Sequence, residues 1–118
     1  MPLLKDLMSK PVISILPTKT IMDAAKLMKE NDIESLVVAW GDQAVGILTE
    51  KDIVRRVVAE GLHYDTKVME VMSRPLITIK ADATPENAID KMREHGIKRL
   101  PIEEKGKIIG IVVESDLL

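Results

Sequence analysis

The sequence predicts an α/β fold in which one small motif is used twice, and two observations carry that expectation. The run Asp6-Leu7-Met8-Ser9-Lys10-Pro11-Val12-Ile13-Ser14-Ile15 returns as Glu70-Val71-Met72-Ser73-Arg74-Pro75-Leu76-Ile77-Thr78-Ile79, an offset of 64 residues. The offset holds without a gap from Thr20 and Thr84, through Gly46 and Gly110, to Asp52 and Asp116. Within each copy the apolar spacing reads as a strand, a helix, a hairpin and a second helix. A unit of about 50 residues buries little surface alone. The copies, residues 6–60 and 70–118, are therefore expected to pair with pseudo-twofold symmetry into one domain spanning residues 1–118.

Each element has a local reason. Val12–Ile15 and Leu76–Ile79 are short β-branched runs after a proline, and they read as first strands. Ile21, Ala24, Ala25 and Met28 recur at helical spacing, as do Ala88, Ile89 and Met92. Thr20 and Thr84 are natural N-caps, and Pro85 suits the first helical position. Ser35–Trp40 and Ala44–Thr49 form a hairpin across Gly41-Asp42-Gln43, matched by 100–103 and 108–113 around Lys105-Gly106-Lys107. A helix from Glu50, with Ile53, Val54, Val57 and Val58 on its apolar face, is expected to end at Gly61. Its counterpart is truncated at Leu118 to barely one turn. Either the chain ends naturally there or an N-terminal segment covers the vacant surface.

Composition narrows the function. Apolar residues make up 46% and charged residues 31%, which suits a folded domain. Seventeen basic against nineteen acidic residues leave a net charge of −2, with no basic field for a nucleic-acid backbone. With no Phe, one Tyr and one Trp, there is no aromatic platform for stacking bases. The absence of cysteine fits a reducing compartment, and no apolar run nears the roughly 18 residues of a membrane span, so a cytoplasmic location is expected. His63 and His95 stand alone, and no P-loop, nucleophile elbow or catalytic triad can be placed, which argues against a metal site and against an enzyme.

The candidate chemistry lies where each third strand runs into a helix: Gly46-Ile47-Leu48-Thr49-Glu50-Lys51-Asp52, and Gly110-Ile111-Val112-Val113-Glu114-Ser115-Asp116. Free N–H groups and the helix dipole suit such a junction to phosphate. An adjacent aspartate can accept two hydrogen bonds from vicinal ribose hydroxyls. Thr49, Lys51 and Ser115 offer hydroxyls and charge for the phosphate. Thr49-x-x-Asp52 is also a capping box. The second copy weighs against capping alone, because Val113 cannot cap while Asp116 remains. Lys98 and Arg99 stand next to the second junction, whereas their counterparts Glu34 and Ser35 are not basic, so the two sites cannot be equivalent. Arg55 and Arg56 read as a solvated face opposite the apolar stripe.

The repeated Met-Ser-x-Pro, the Gly-Ile-x-x-Glu-x-Asp run and Gly96-Ile97-Lys98-Arg99-Leu100-Pro101-Ile102 resemble the cystathionine β-synthase (CBS) domain, here a stand-alone pair or Bateman module over Asp6 to Leu118. The resemblance implies a tandem CBS repeat of β-α-β-β-α units packed through their sheets, and a homodimer of such pairs. It implies a regulatory module with no required cofactor. An adenosine-containing ligand (AMP, ADP, ATP or S-adenosylmethionine) would bind between the repeats and signal to an effector protein. Asp52 and Asp116 would hold ribose, and Thr49, Lys51, Ser115, Lys98 and Arg99 phosphate. Adenine would lie against Leu76 and Thr78 on the Asp52 side and against Val12 and Ser14 on the Asp116 side. Val113, Glu34, and Val37 in place of the proline found at Pro101 depart from the family pattern. A ligand-free interaction module is the competing reading, and nucleic-acid binding through Lys98, Arg99 and Arg56 the third.

Overall fold

The computed structural model describes residues 3–9 and 12–118, so that Lys10 and Pro11 of the first Met-Ser-x-Pro run lie outside the described residues. The chain divides into two compact units, 13–76 and 1–12 with 77–118. These cut the chain elsewhere than the sequence repeat does.

In the unit 13–76, β1 (Ser14–Ile15) pairs in parallel with β2 (Ser35–Trp40), and β2 pairs antiparallel with β3 (Gln43–Thr49), in the order β1-β2-β3. Between β1 and β2 runs α2 (Ile21–Asn31), after α1 (Leu4–Leu7) of the other unit. Thr20 caps α2 by accepting the Asp23 N–H at 3.1 Å while the Asp23 carboxylate accepts the Thr20 N–H at 3.1 Å. α3 (Glu50–Asp52) follows β3 directly, and the short α4 is Val68–Val71. Ile15, Ile21, Met28, Leu36, Val38, Leu48, Val57, Val68, Val71 and Met72 form the core between sheet and helices.

The unit containing residues 77–118 repeats this plan. β4 (Ile79–Lys80), β5 (Arg99–Glu104) and β6 (Lys107–Val113) lie in the order β4-β5-β6, with α5 (Pro85–His95) between β4 and β5. Thr84 caps α5, Pro85 occupies its first turn, and Gly96 closes it at φ +65°. Its core is Leu4, Ile79, Ala81, Ala88, Met92, Leu100, Ile102 and Val112.

The opening segment of each sequence repeat is thus exchanged. Ser9 pairs antiparallel with Ile111, and Ser73 with Ile47, so each segment edges the third strand of the other copy. The thioether of Met8 lies over Gly110 and that of Met72 over Gly46. The repeated acid closes the turn, Asp6 accepting from the Leu3 N–H at 3.2 Å and Glu70 from the Lys67 N–H at 3.0 Å. Lys5 is held above its ordinary pKa by the Glu104 carboxylate 2.6 Å away. An N-terminal segment does therefore join the second copy. Val68 and Met72 enter the core of the first copy in the same way.

Three expectations change. The first strands are two residues long, and Val12 and Leu76 lie outside them, because ladder partners begin only at Ser14↔Val37 and at Ile79↔Ile102. The hairpin turns are two residues, Gly41-Asp42 and Lys105-Gly106, with Lys105 and Gly106 at φ +53° and +79°. The helix from Glu50 continues as a π-helix over Ile53–Val58. Its wider turn places Val57 in the core but leaves Val54 59% and Val58 69% exposed, against the apolar stripe expected from a 3.6-residue period. Gly61 ends it at φ +69°, and the Leu62 N–H bonds the Val57 carbonyl at 2.9 Å. Among the described residues no helix is long and apolar enough to cross a membrane.

Candidate functional site

β3 delivers the chain straight into α3, and Thr49, Lys51 and Asp52 meet at that junction. The Thr49 hydroxyl accepts the Asp52 N–H at 3.1 Å, and Asp52 Oδ2 accepts the Thr49 N–H at 3.0 Å. The Glu50 N–H bonds the Glu34 carbonyl at 3.0 Å, tying the helix start to the beginning of β2. Asp52 is 9% exposed, a buried carboxylate held in one orientation. Ser73, to which no role was assigned from sequence, and Arg56, which reads from sequence as solvated, complete its surroundings. The Ser73 hydroxyl donates to Oδ1 at 3.3 Å and Oδ2 at 3.5 Å. Arg56 places Nε 3.7 Å from Oδ1 while Nη1 donates to the Val71 and Met72 carbonyls at 3.1 and 3.4 Å. Arg56 is therefore not a merely solvated residue: it ties the exchanged segment to the carboxylate. Its position four residues after Asp52, one helical turn on, was the signal available for it. Lys51 is exposed.

The second junction differs. The Glu114 N–H bonds the Lys98 carbonyl at 2.8 Å, and Arg99 pairs with Val113, so Lys98, Arg99, Ser115 and Asp116 gather at one end of the β4-β5-β6 sheet. A single 3₁₀ turn, Glu114–Asp116, replaces the helix, and it has no side-chain cap. Asp116 is exposed, with no side-chain partner among the described residues. Asp52 caps and Asp116 does not, so the capping reading accounts for the first aspartate alone.

The four expected base-contacting residues divide two to each unit. Ser14 is exposed on β1, the sheet edge opposite β3, and Leu76 is half-buried after Ser73. Val12 is half-buried, and the Thr78 hydroxyl donates to Glu103 at 3.2 Å, which Lys80 also holds at 3.2 Å. Lys91 Nζ donates to the Thr78 carbonyl at 2.6 Å, fixing the backbone there. Two grooves open on the unit 13–76: one of about 450 Å³ between β1 and α2, and one of about 600 Å³ between α2 and the π-helix. Asp52 lines neither. Among the described residues no three His, Asp or Glu side chains converge as metal ligands would.

A family model described as "CBS domain" matches residues 4–59 and 68–118. A relative in Methanopyrus kandleri, "Uncharacterized protein MK0525", is 39% identical over 112 residues, covering 92% of this chain but only 57% of its own length. An uncharacterized conserved protein from Pyrococcus horikoshii superposes with a TM-score of 0.90 at 42% identity, over 98% of this chain and 88% of that one. The CBS domain pair of protein MJ0100, solved in complex with 5′-methylthioadenosine and S-adenosyl-L-methionine, superposes with a TM-score of 0.87 at 30% identity, over 98% and 92% of the two chains.

Proposed function

This chain belongs to the CBS domain family, and on that premise we propose that it is a cytoplasmic regulatory module that binds an adenosyl ligand and signals to an effector protein. The observation that carries the reading is Asp52: a buried carboxylate, orientated by its bond from the Thr49 N–H, with lone pairs left over for a vicinal diol. The adenosyl ligands of the MJ0100 pair support the same chemistry. Asp116 takes the second ribose. Thr49, Lys51 and Ser115 serve phosphate, and Leu76, Thr78, Val12 and Ser14 serve the base.

The two sites differ in charge. Lys98 and Arg99 beside Asp116 suit a phosphorylated ligand, whereas Glu34 and Ser35 beside Asp52 suit one with less negative charge. Signalling follows if ligand has different affinity for two arrangements of the protein. The ligand-free alternative is favoured by one observation, the capping box that already employs Asp52.

A thermal-shift panel of AMP, ADP, ATP and S-adenosylmethionine decides between them. Ligand at a hundred times its dissociation constant stabilises the native state by about 2.7 kcal/mol. The gain is expected to vanish when Asp52→Asn and Asp116→Asn are combined. No shift with any of the four would establish the ligand-free reading, and a shift surviving in the double variant would remove ribose from these aspartates.

The homodimer is proposed to form over the exposed Val54 and Val58 and the adjoining groove floored by Ala25, Met28, Ile33 and Ile53. Val58→Glu is expected to halve the mass measured by light scattering after size exclusion. An unchanged mass would exclude this face.

A further inference from the structure

We propose that the Ser73 hydroxyl is a built-in competitor for the Asp52 carboxylate, lowering ligand affinity at that site and not at Asp116. The inference rests on the reading of Asp52 as a ribose acceptor.

A carboxylate offers about four lone-pair positions on its two oxygens. One on Oδ2 is committed to the Thr49 N–H at 3.0 Å, a bond that belongs to the helix cap. The Ser73 Oγ stands 3.3 Å from Oδ1 and 3.5 Å from Oδ2, so it faces both oxygens together, in the place that a diol bridging them would take. Both distances exceed the roughly 2.7–2.8 Å of a good O–H···O bond. The hydroxyl is therefore a weak, replaceable donor standing where a bridging diol would bond.

The protein keeps it there. The Ser73 N–H donates to the Ile47 carbonyl at 2.8 Å and the Ile47 N–H to the Ser73 carbonyl at 3.1 Å, fixing the residue at the edge of β3. Arg56 adds its hold on the Val71 and Met72 carbonyls. Ligand can thus displace the hydroxyl by side-chain rotation but cannot carry the backbone away. The counterpart of Ser73 is Ser9, whose backbone pairs with Ile111 in the same way, yet Asp116 receives no hydroxyl from it. The competition exists at one aspartate of the pair.

Isothermal titration of the full chain with AMP and with S-adenosylmethionine tests this. Ser73→Ala is expected to tighten binding by roughly 3- to 10-fold, the loss of one weak charge-assisted bond. Ser73→Cys, a poor donor of similar size, is expected to tighten it as well and covers the case in which the alanine variant does not fold. Ser73→Thr, which keeps the hydroxyl, should retain wild-type affinity. Asp52→Asn should abolish the binding phase that Ser73→Ala tightens. If Asp52→Asn weakens binding but Ser73→Ala and Ser73→Cys leave it unchanged or weaker, competition is overturned and the ribose assignment stands. If Asp52→Asn binds as the wild type does, or neither probe gives heat, the ribose assignment itself fails.

Discussion

Gly46→Ala is expected to lower the stability of the unit 13–76 by about 3 kcal/mol, the upper end of what overpacking costs. A Cβ built there stands 2.8 Å from the Met72 sulfur and 2.8 Å from the Ser73 carbonyl oxygen. The thioether can swing aside. The carbonyl cannot, because it accepts the Ile47 N–H and belongs to the sheet edge. At Gly110→Ala the three nearest atoms all belong to the Met8 side chain, with Cγ at 2.7 Å and Cβ at 3.1 Å, and the change is expected to cost nearer 1 kcal/mol, since methionine repacks readily. Urea unfolding of both variants measures the order. Equal losses would mean that the Ser73 backbone yields as easily as a methionine.

Leu4→Ala is expected to cost about 3 kcal/mol, within the range for a fully buried leucine. Leu4 is 0% exposed and packs with residues some 75 to 110 positions away in sequence, among them Met92, Leu100 and Val112. Val68→Ala, at the equivalent position of the other segment, removes less volume and should cost about half as much. Hydrogen exchange distinguishes them: Leu4→Ala should loosen amides of β4, β5 and β6, and Val68→Ala those of β1, β2 and β3. Loosening of β1–β3 by Leu4→Ala would contradict the exchange of segments.

The repeat was legible because it recurs at one fixed offset, and the helix caps and both hairpins because each depends on neighbours close in sequence: Thr20 with Asp23, Thr84 with Asn87, Gly106 with its turn. The destination of the Met-Ser segments was not. Met8 fits over Gly46 or Gly110 with the same chemistry, so complementarity alone could not choose between them. The π-helix was hidden for a related reason. Ile53-Val54-Arg55-Arg56-Val57-Val58 supports an α-helical stripe equally well, and only the packing shows that Val57 is inside and Val58 outside. At the candidate site, Asp52 and Asp116 were visible as a repeated motif. Arg56 was within sequence reach, one turn after Asp52, but Ser73 became visible only when a segment 21 residues after Asp52 folded back onto its carboxylate.

The exchanged segments make each half of the sequence an incomplete object. A fragment ending near residue 64 would carry Leu4 and Met8 but lack Val68 and Met72, the side chains its own core and glycine require. Its nearest substitute is the opening segment of a second copy of the same fragment, so two such fragments would complete one another by reciprocal donation. The tandem chain thus carries on one polypeptide both of the segments that each half must receive from the other.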